Sequence, residues 1–474
     1  MRVTVIGHAG LYIETQDATL LVDPWLFGSC YWRSWWHYPP SPEPMPEWLA
    51  PDYLYLTHHH FDHFHYPSLR RIDRATKVLI ARFGVDVMRD ELVELGFNDV
   101  TEIDHGESVE LDSSMSVASY QYGFDDSALV VVGDGAVVCN LNDCKLRGQD
   151  LDGLRKRFGR PDLMLKSHSF AQAYPNCYSA EDPKDLTLLS RKDYVADFLE
   201  STSALEPRFA IPFASMVCFL HPESFLRNRD VVTPLEVQEG FARSGQNETT
   251  LLLAKPGDTW DSTQPFHSDL GDYYTARDAW LEKLRERAAP ALEREAEAES
   301  ARSLSFGAFA AYFGTFLRAL PLGIGLVLRR PVAFRSAESD GTYWVLDWRT
   351  RRVRKLDALP LDRACLIEVP PGVLCAAIES RIVNYVHISM RVRIALRKGG
   401  VSTDFAFWSL LAAWELGYLP LRDAASRRLF GVAWRRRAEG VGLARATLRQ
   451  RGSMASRMTS RFMVSDDGYH SSDE

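Results

Sequence analysis

Five histidines and one aspartate fall within eight positions of the segment YLTHHHFDHFH, residues 55–65. Imidazole nitrogen mixed with carboxylate oxygen suits zinc, iron or manganese better than calcium or magnesium. If the loop is extended at its start, His58 and His60 project to the same side, because side chains alternate with a period of two. A turn or helix start at Asp62 and His63 then swings a carboxylate and a third imidazole toward the same cavity, or toward a second ion beside it. Four candidate ligands directly after an apolar strand point to a metal site rather than a solvated histidine run. His59 and His65 fall outside this spacing and are expected not to ligate.

The elements around the cluster read as short strands at 3–6, 11–14, 19–22, 53–56, 77–80, 116–120, 128–132 and 136–140. Gly133-Asp134-Gly135 has the composition of a hairpin turn. Helical patterns at 66–74, 84–95, 151–158 and 193–200 are interleaved with them, so the region is a layered α/β domain. Between Trp25 and Trp48 the chain carries five of its twelve tryptophans. This insertion is expected either to wall a pocket, with Trp25 against a sugar, base or acyl chain and Arg33 meeting an anion, or to plug the loop onto the body.

The spacing His58-x-His60-x-Asp62-His63 resembles the H-x-H-x-D-H signature of the metallo-β-lactamase superfamily. Gly7-His8-Ala9, followed by LLVDPW at 20–25, is similar to the opening of its many hydrolases, where two strands end in an Asp-Pro pair below the metals. Within that superfamily, NLNDCK (140–145), Tyr174-Pro175 and IPFAS (211–215) followed by His221-Pro222 resemble the β-lactamase-like domain of CMP-N-acetylneuraminate and UDP-N-acetylmuramate hydroxylases. The resemblance covers about residues 1–260 and implies an αβ/βα sandwich. It also implies that His58, His60, His63 and Asp143 hold the metal, zinc or iron, as one ion or two. Asp62 then binds a second ion or acts as general base, with His8 as the other candidate catalytic group. His8 and Asp23 would sit beside the ligands or in the pocket wall.

The pattern also departs from the superfamily. A further histidine usually precedes the hairpin, yet 116–132 contains none, so one metal position is expected to lose a ligand. The last superfamily histidine follows a late strand, where this chain has Pro212-Phe213-Ala214. His168 and His221 are the candidates to complete the sphere, and a mononuclear or asymmetric site is expected. The hydroxylases draw electrons from a Rieske centre, which needs C-x-H and C-x-x-H pairs. Only Cys218-Phe219-Leu220-His221 is present, so no Rieske centre is expected in this sequence.

At 474 residues the chain is long enough for two or three domains. The expected division is a metal-binding domain at 1–274, a charged helical linker at 275–302, a C-terminal α+β domain at 303–437 and a disordered tail at 438–474. Strands are expected at 342–356 and 364–378 and a helix at 404–416 in that C-terminal domain. The apolar stretch 306–328 is interrupted by Arg318 and Pro321, which predicts a buried or interfacial helix pair and leaves a peripheral membrane contact open. A net charge of −8 argues against nucleic acid as partner. Seven unpaired-looking cysteines and no signal-peptide pattern predict a cytoplasmic protein.

The leading expectation is a metal-dependent hydrolase that acts on a small molecule through a metal-activated water. The alternatives are an iron-dependent oxygenase of a sugar nucleotide or natural product, fed by an external electron donor, and a non-catalytic metal-binding scaffold.

Overall fold

The computed structural model describes residues 1–338, 341–424, 430–432 and 434. The 438–474 tail lies outside the described residues. Two seven-stranded sheets form the first part of the chain. One runs, in spatial order, Thr259–Asp261, Arg2–Val5, Leu11–Glu14, Thr19–Val22, Tyr53–Leu56, Lys77–Ala81 and Val100–Ile103. The other runs Thr250–Leu251, Phe209–Phe213, Leu163–Ser167, Ala136–Asn142, Asp126–Gly133, Met115–Tyr122 and Ser108–Glu110.

The period of two decides which side chains meet between the sheets. Leu20, Val22, Tyr53 and Tyr55 pack with Val138, Leu163 and Leu165 in the shared inner core. Their neighbours Leu21, Leu54 and Leu56 face outward onto Met88 and Leu92 of helix Val87–Glu94. On the opposite outer face Cys139, Leu141 and Met164 pack against Leu151 and Leu154 of helix Gln149–Phe158 and Phe198 of helix Arg191–Leu205. Helix, sheet, sheet and helix therefore stack as the αβ/βα sandwich.

A third, six-stranded sheet is built from Val332–Arg335, Tyr343–Asp347, Arg352–Leu356, Cys365–Glu368 and Arg393–Leu396, joined at one edge by Tyr178–Ala180. Thus a strand from within the first 274 residues completes the C-terminal sheet, pairing in parallel with Arg393–Leu396. The large third core also includes Trp25, Tyr31 and Trp35 of the aromatic insertion. Trp35 Nε1 donates to the Ile388 carbonyl at 3.1 Å. The plug reading of that insertion therefore holds for Trp35.

The buried guanidinium of Arg391 ties these parts together. It donates to Glu223 at 2.9 Å, to Glu299 Oε2 at 2.8 Å and to the Trp32 carbonyl at 3.2 Å. A buried cation is tolerated when its donors are satisfied in this way.

Two local expectations, at 342–356 and 364–378, are corrected. The segment 342–356 is a hairpin of two strands rather than one, turning with Arg351 at φ 55°. The segment 364–378 is strand only over Cys365–Glu368, and Pro371 then begins helix Pro371–Glu379, as proline at a first helical position favours. The charged run forms a single helix, Arg277–Ser300. Among the described residues no helix is long and apolar enough to cross a membrane.

Candidate metal centre

The chemistry-bearing side chains collect where strands of both sheets end. Thr19–Val22 ends at Asp23, Tyr53–Leu56 at Thr57 and His58, and Ala136–Asn142 at Asp143. At Asp23, Asn142 and Ala214 the backbone turns left-handed, with φ of 44°, 54° and 43°. Such conformations cost on the order of 1–3 kcal/mol each, and they concentrate at sites that over-determine them.

Two groups of three potential ligands result. His8, Asp62 and His63 form one, and His58, His60 and Asp143 form the other, the ligand atoms of each lying within 4.8 Å of one another. In the first, Asp62 Oδ2 lies 2.9 Å from His8 Nε2 and 3.4 Å from His63 Nε2. In the second, His58 Nε2 is 2.9 Å from His60 Nδ1 and 3.8 Å from Asp143 Oδ2. His63 Nε2 is also 3.8 Å from Asp143 Oδ1, so the groups adjoin.

The donor sets fit a metal ion. Ligand nitrogens about 2.1 Å from a metal sit roughly 3.0–3.4 Å apart from octahedral to tetrahedral geometry. The buried His63 Nε2 and Asp143 Oδ1 lack a hydrogen-bond partner among the described residues. Buried polar atoms left this way are costly, and they are what a cation would satisfy.

A surrounding set of hydrogen bonds fixes which atoms point inward. Asp23 Oδ2 accepts from Thr57 Oγ1 at 2.7 Å, from His63 Nδ1 at 2.9 Å and from Asn142 Nδ2 at 3.0 Å. With Nδ1 of His63 donating to Asp23, its Nε2 is left to ligate. Thr57 Oγ1 in turn holds His58 Nδ1 at 3.0 Å. The Tyr31 hydroxyl donates to Asp62 Oδ1, leaving Oδ2 for His8 and His63. His8 is held by its backbone N–H, which donates to His37 Nδ1 at 3.1 Å. That approach requires Gly7, since a Cβ there would lie 2.4 Å from the His37 ring.

Charge follows the geometry. Burial alone would lower His63, but Asp62, Asp143 and Asp23 carry it well above the usual imidazole value. Burial opposes ionisation of Asp62, yet His63 and His8 hold it well below the usual carboxylate range. His58 is pushed well below its usual value, first by burial and then by His63.

Other candidates lie elsewhere. His168 is buried at the end of Leu163–Ser167 but belongs to neither group, and burial lowers it to about 4. His221 Nδ1 accepts from the Glu223 N–H at 3.3 Å, with Arg391 and Glu299 as its charged neighbours. Arg33 is engaged by Glu295 at 3.2 Å and is not the free anion contact expected of it. The Trp25 ring lies beside the centre, 6.0 Å from the His8 ring and 4.0 Å from that of His37. His59 turns to Glu91 and Tyr385, and His65 to Ser68.

No histidine stands in 116–132 before the hairpin, as the sequence shows, but His8 lies beside Asp62 and His63 and brings a further imidazole to the first group. Sequence reading missed four further residues. Asp126 Oδ1 stands 3.6 Å from His58 Nδ1. Tyr31 and His37 come from the aromatic insertion. Tyr385 reaches across from the C-terminal part, its ring 5.6 Å from His60. Tyr31 and His37 fall in the segment expected to wall a pocket, and Asp126 had a local signal in an Asp-Asp pair at the start of a strand following Gly123-Phe124, whereas Tyr385 had none.

Residues 2–129 match the family model described as Beta-lactamase superfamily domain. The chain is 29% identical over 459 residues to a protein provisionally named a Rieske 2Fe-2S iron-sulfur protein, from Mycolicibacterium smegmatis. That alignment covers 88% of this chain and 86% of the relative. It is 22% identical over 288 residues to the mouse cytidine monophosphate-N-acetylneuraminic acid hydroxylase, covering 57% of this chain and 47% of that protein. The alignment thus spans about half the length of the mouse relative. Among solved structures, an isothiocyanate hydrolase from Delia radicum gut bacteria is similar over 55% of this chain and 99% of its own. The identity there is 16% and the TM-score 0.41.

Proposed function

We propose that the chain is an iron-dependent oxygenase that hydroxylates a small molecule using electrons from a separate donor. The observation that carries this reading is the pair of adjoining sets, each of two histidines and one carboxylate. That donor combination is one that non-haem iron oxygenases use. Similarity to a sialic acid nucleotide hydroxylase and to a Rieske-named protein supports the same reading and suggests a sugar nucleotide or related natural product as substrate.

In this reading His8, Asp62 and His63 hold one ion and His58, His60 and Asp143 the other. Bound iron supplies oxygen activation: one oxygen atom enters the substrate and the other leaves as water, with two electrons and two protons from the donor. Asp23, Thr57 and Asn142 keep the imidazoles in ligating tautomers, and Tyr31 restrains Asp62. Trp25 and Trp35 stand edge-on to His8 at ring distances of 6.0 and 5.9 Å and exclude water from that side.

The second reading is a zinc hydrolase, favoured by the same donor chemistry and by a sequence without a C-x-H pair. Elemental analysis of anaerobically purified protein, followed by oxygen uptake with dithionite as surrogate donor, separates the two. Bound iron with oxygen consumption above the donor's own rate supports the oxygenase. Zinc alone, with no oxygen uptake after iron reconstitution, overturns it in favour of hydrolysis.

A further inference from the structure

Helix Phe306–Ala319 packs Phe309, Phe313, Phe316 and Leu317 into the C-terminal core. Beyond Pro321 the chain crosses the surface as Leu322-Gly323-Ile324-Gly325-Leu326-Val327. Leu322 is 90% exposed, Leu326 77% and Val327 56%. Three large aliphatic side chains in six residues form a clustered apolar tip, which an ordinary surface avoids.

The tip is held in place. A Cβ on Gly325 would lie 2.7 Å from the Trp348 carbonyl oxygen and 2.9 Å from Arg349 Cα, so the loop backbone lies flush on the hairpin turn beside it. From that turn Arg351 donates to the carbonyls of Leu317, Arg318 and Leu320 at 2.8, 2.6 and 2.7 Å.

The rim is cationic. Arg318, Arg329, Arg349 and Arg352 are exposed, while the guanidinium groups of Arg330 and Arg351 are turned to backbone carbonyls. None of the four exposed ones pairs with a carboxylate among the described residues, the nearby ion pairs being Arg335 with Glu368, Arg354 with Asp347 and Lys355 with Glu338. In a chain of net charge −8, this is a local excess of positive charge.

We propose that the 322–327 tip inserts into the headgroup region of an anionic lipid surface while the arginine rim meets lipid phosphates. Apolar insertion combined with basic residues is the two-part signal of peripheral membrane attachment. Single-stranded nucleic acid is a poorer match for the same charge, because its platforms are aromatic and this tip is aliphatic. The inference is independent of which reaction the metal centre performs.

Co-sedimentation of the full chain with phosphatidylcholine vesicles, with and without about a third phosphatidylglycerol, tests it. The expected result is binding at least about tenfold stronger to the anionic vesicles, weakening as salt screens the rim. Leu322→Asp with Leu326→Asp should lower that binding about tenfold or more with an unchanged thermal melt, and Arg349→Glu with Arg352→Glu should act in the same direction. The proposal is overturned if the wild type binds neither vesicle, if neutral and anionic vesicles bind equally, or if the leucine pair is replaced without effect. It is equally overturned if those substitutions dissociate a dimer of the wild type that has no affinity for vesicles.

Discussion

Asp62 and Asp404 are both buried aspartates, and the chain treats them in opposite ways. Asp62 sits among imidazoles that outweigh its burial and keep it ionised. Asp404, on helix Val401–Glu415 of the C-terminal part, meets the Tyr178 hydroxyl at 2.7 Å, and burial pushes its carboxyl up to about 7. Glu415 on the same helix is likewise raised, to about 8, chiefly by burial. The first region buries acids beside bases whose nitrogens converge, which prepares it for a cation. The second buries acids beside hydroxyls and amides, which prepares them to keep a proton. Burial of a carboxylate is therefore not in itself a sign of a site; its partners decide.

The largest expected effect comes from removing a converging base. His63→Ala deletes the imidazole that faces both carboxylates, 3.4 Å from Asp62 and 3.8 Å from Asp143, and is expected to lower metal affinity by more than about a thousandfold, read by elemental analysis after dialysis. Metal retained in full by this variant would break the comparison at its metal-binding end. Asp404→Asn probes the other end. In the folded chain Asp404 stays protonated up to about pH 7, whereas unfolded it ionises near 3.8. Between those values the unfolded chain binds fewer protons, so this group's contribution makes stability fall as pH rises through the window. Asparagine is neutral in both states. The variant should therefore gain on the wild type between about pH 4 and pH 7, by up to about 4 kcal/mol, measured by urea melts at several pH values. A difference that does not vary with pH would show that Asp404 is not held neutral.

Asp23 lies between these extremes, being buried, acidic and fully engaged by donors, yet turned away from the converging atoms. Asp23→Ala is expected to weaken metal binding about 10- to 100-fold rather than abolish it, because ligands remain while their orientation is lost. Metal titration of the refolded variant reads this, and unchanged affinity would remove Asp23 from the positioning role.

What could be read in the sequence follows the range of the interactions. The alternation of Leu20-Leu21-Val22 and Tyr53-Leu54-Tyr55-Leu56 is local, and so is the spacing of His58, His60, Asp62 and His63. The first was enough to find the strands, and the second was enough to propose the cluster. His8 lies 54 residues before Asp62, and only its resemblance-bearing Gly-His-Ala setting placed it near the ligands, while Tyr385 lies 325 beyond His60 and nothing in its neighbourhood announces the contact. The segment 364–378 misled because its apolar run is shared by a strand and a buried helix, a distinction periodicity cannot make over so short a length. Arg33 misled because its partner, Glu295, sits on a distant helix.

Tyr385 is one of the points where the C-terminal part meets the histidine loop, and its replacement should give the smallest effect. Its hydroxyl donates to the His59 carbonyl at 2.9 Å and lies 2.9 Å from His59 Nδ1, while its ring packs 4.6 Å from Phe61. Tyr385→Phe keeps the ring and removes only the hydroxyl, so about 1 kcal/mol of stability is expected to be lost with metal stoichiometry unchanged. Calorimetry and elemental analysis on the same sample read both quantities. A loss of metal from this variant would mean that the C-terminal part holds the 58–60 loop in its ligating form. The separation between a cation-holding region and a proton-holding one would then have to be redrawn with Tyr385 on the metal side.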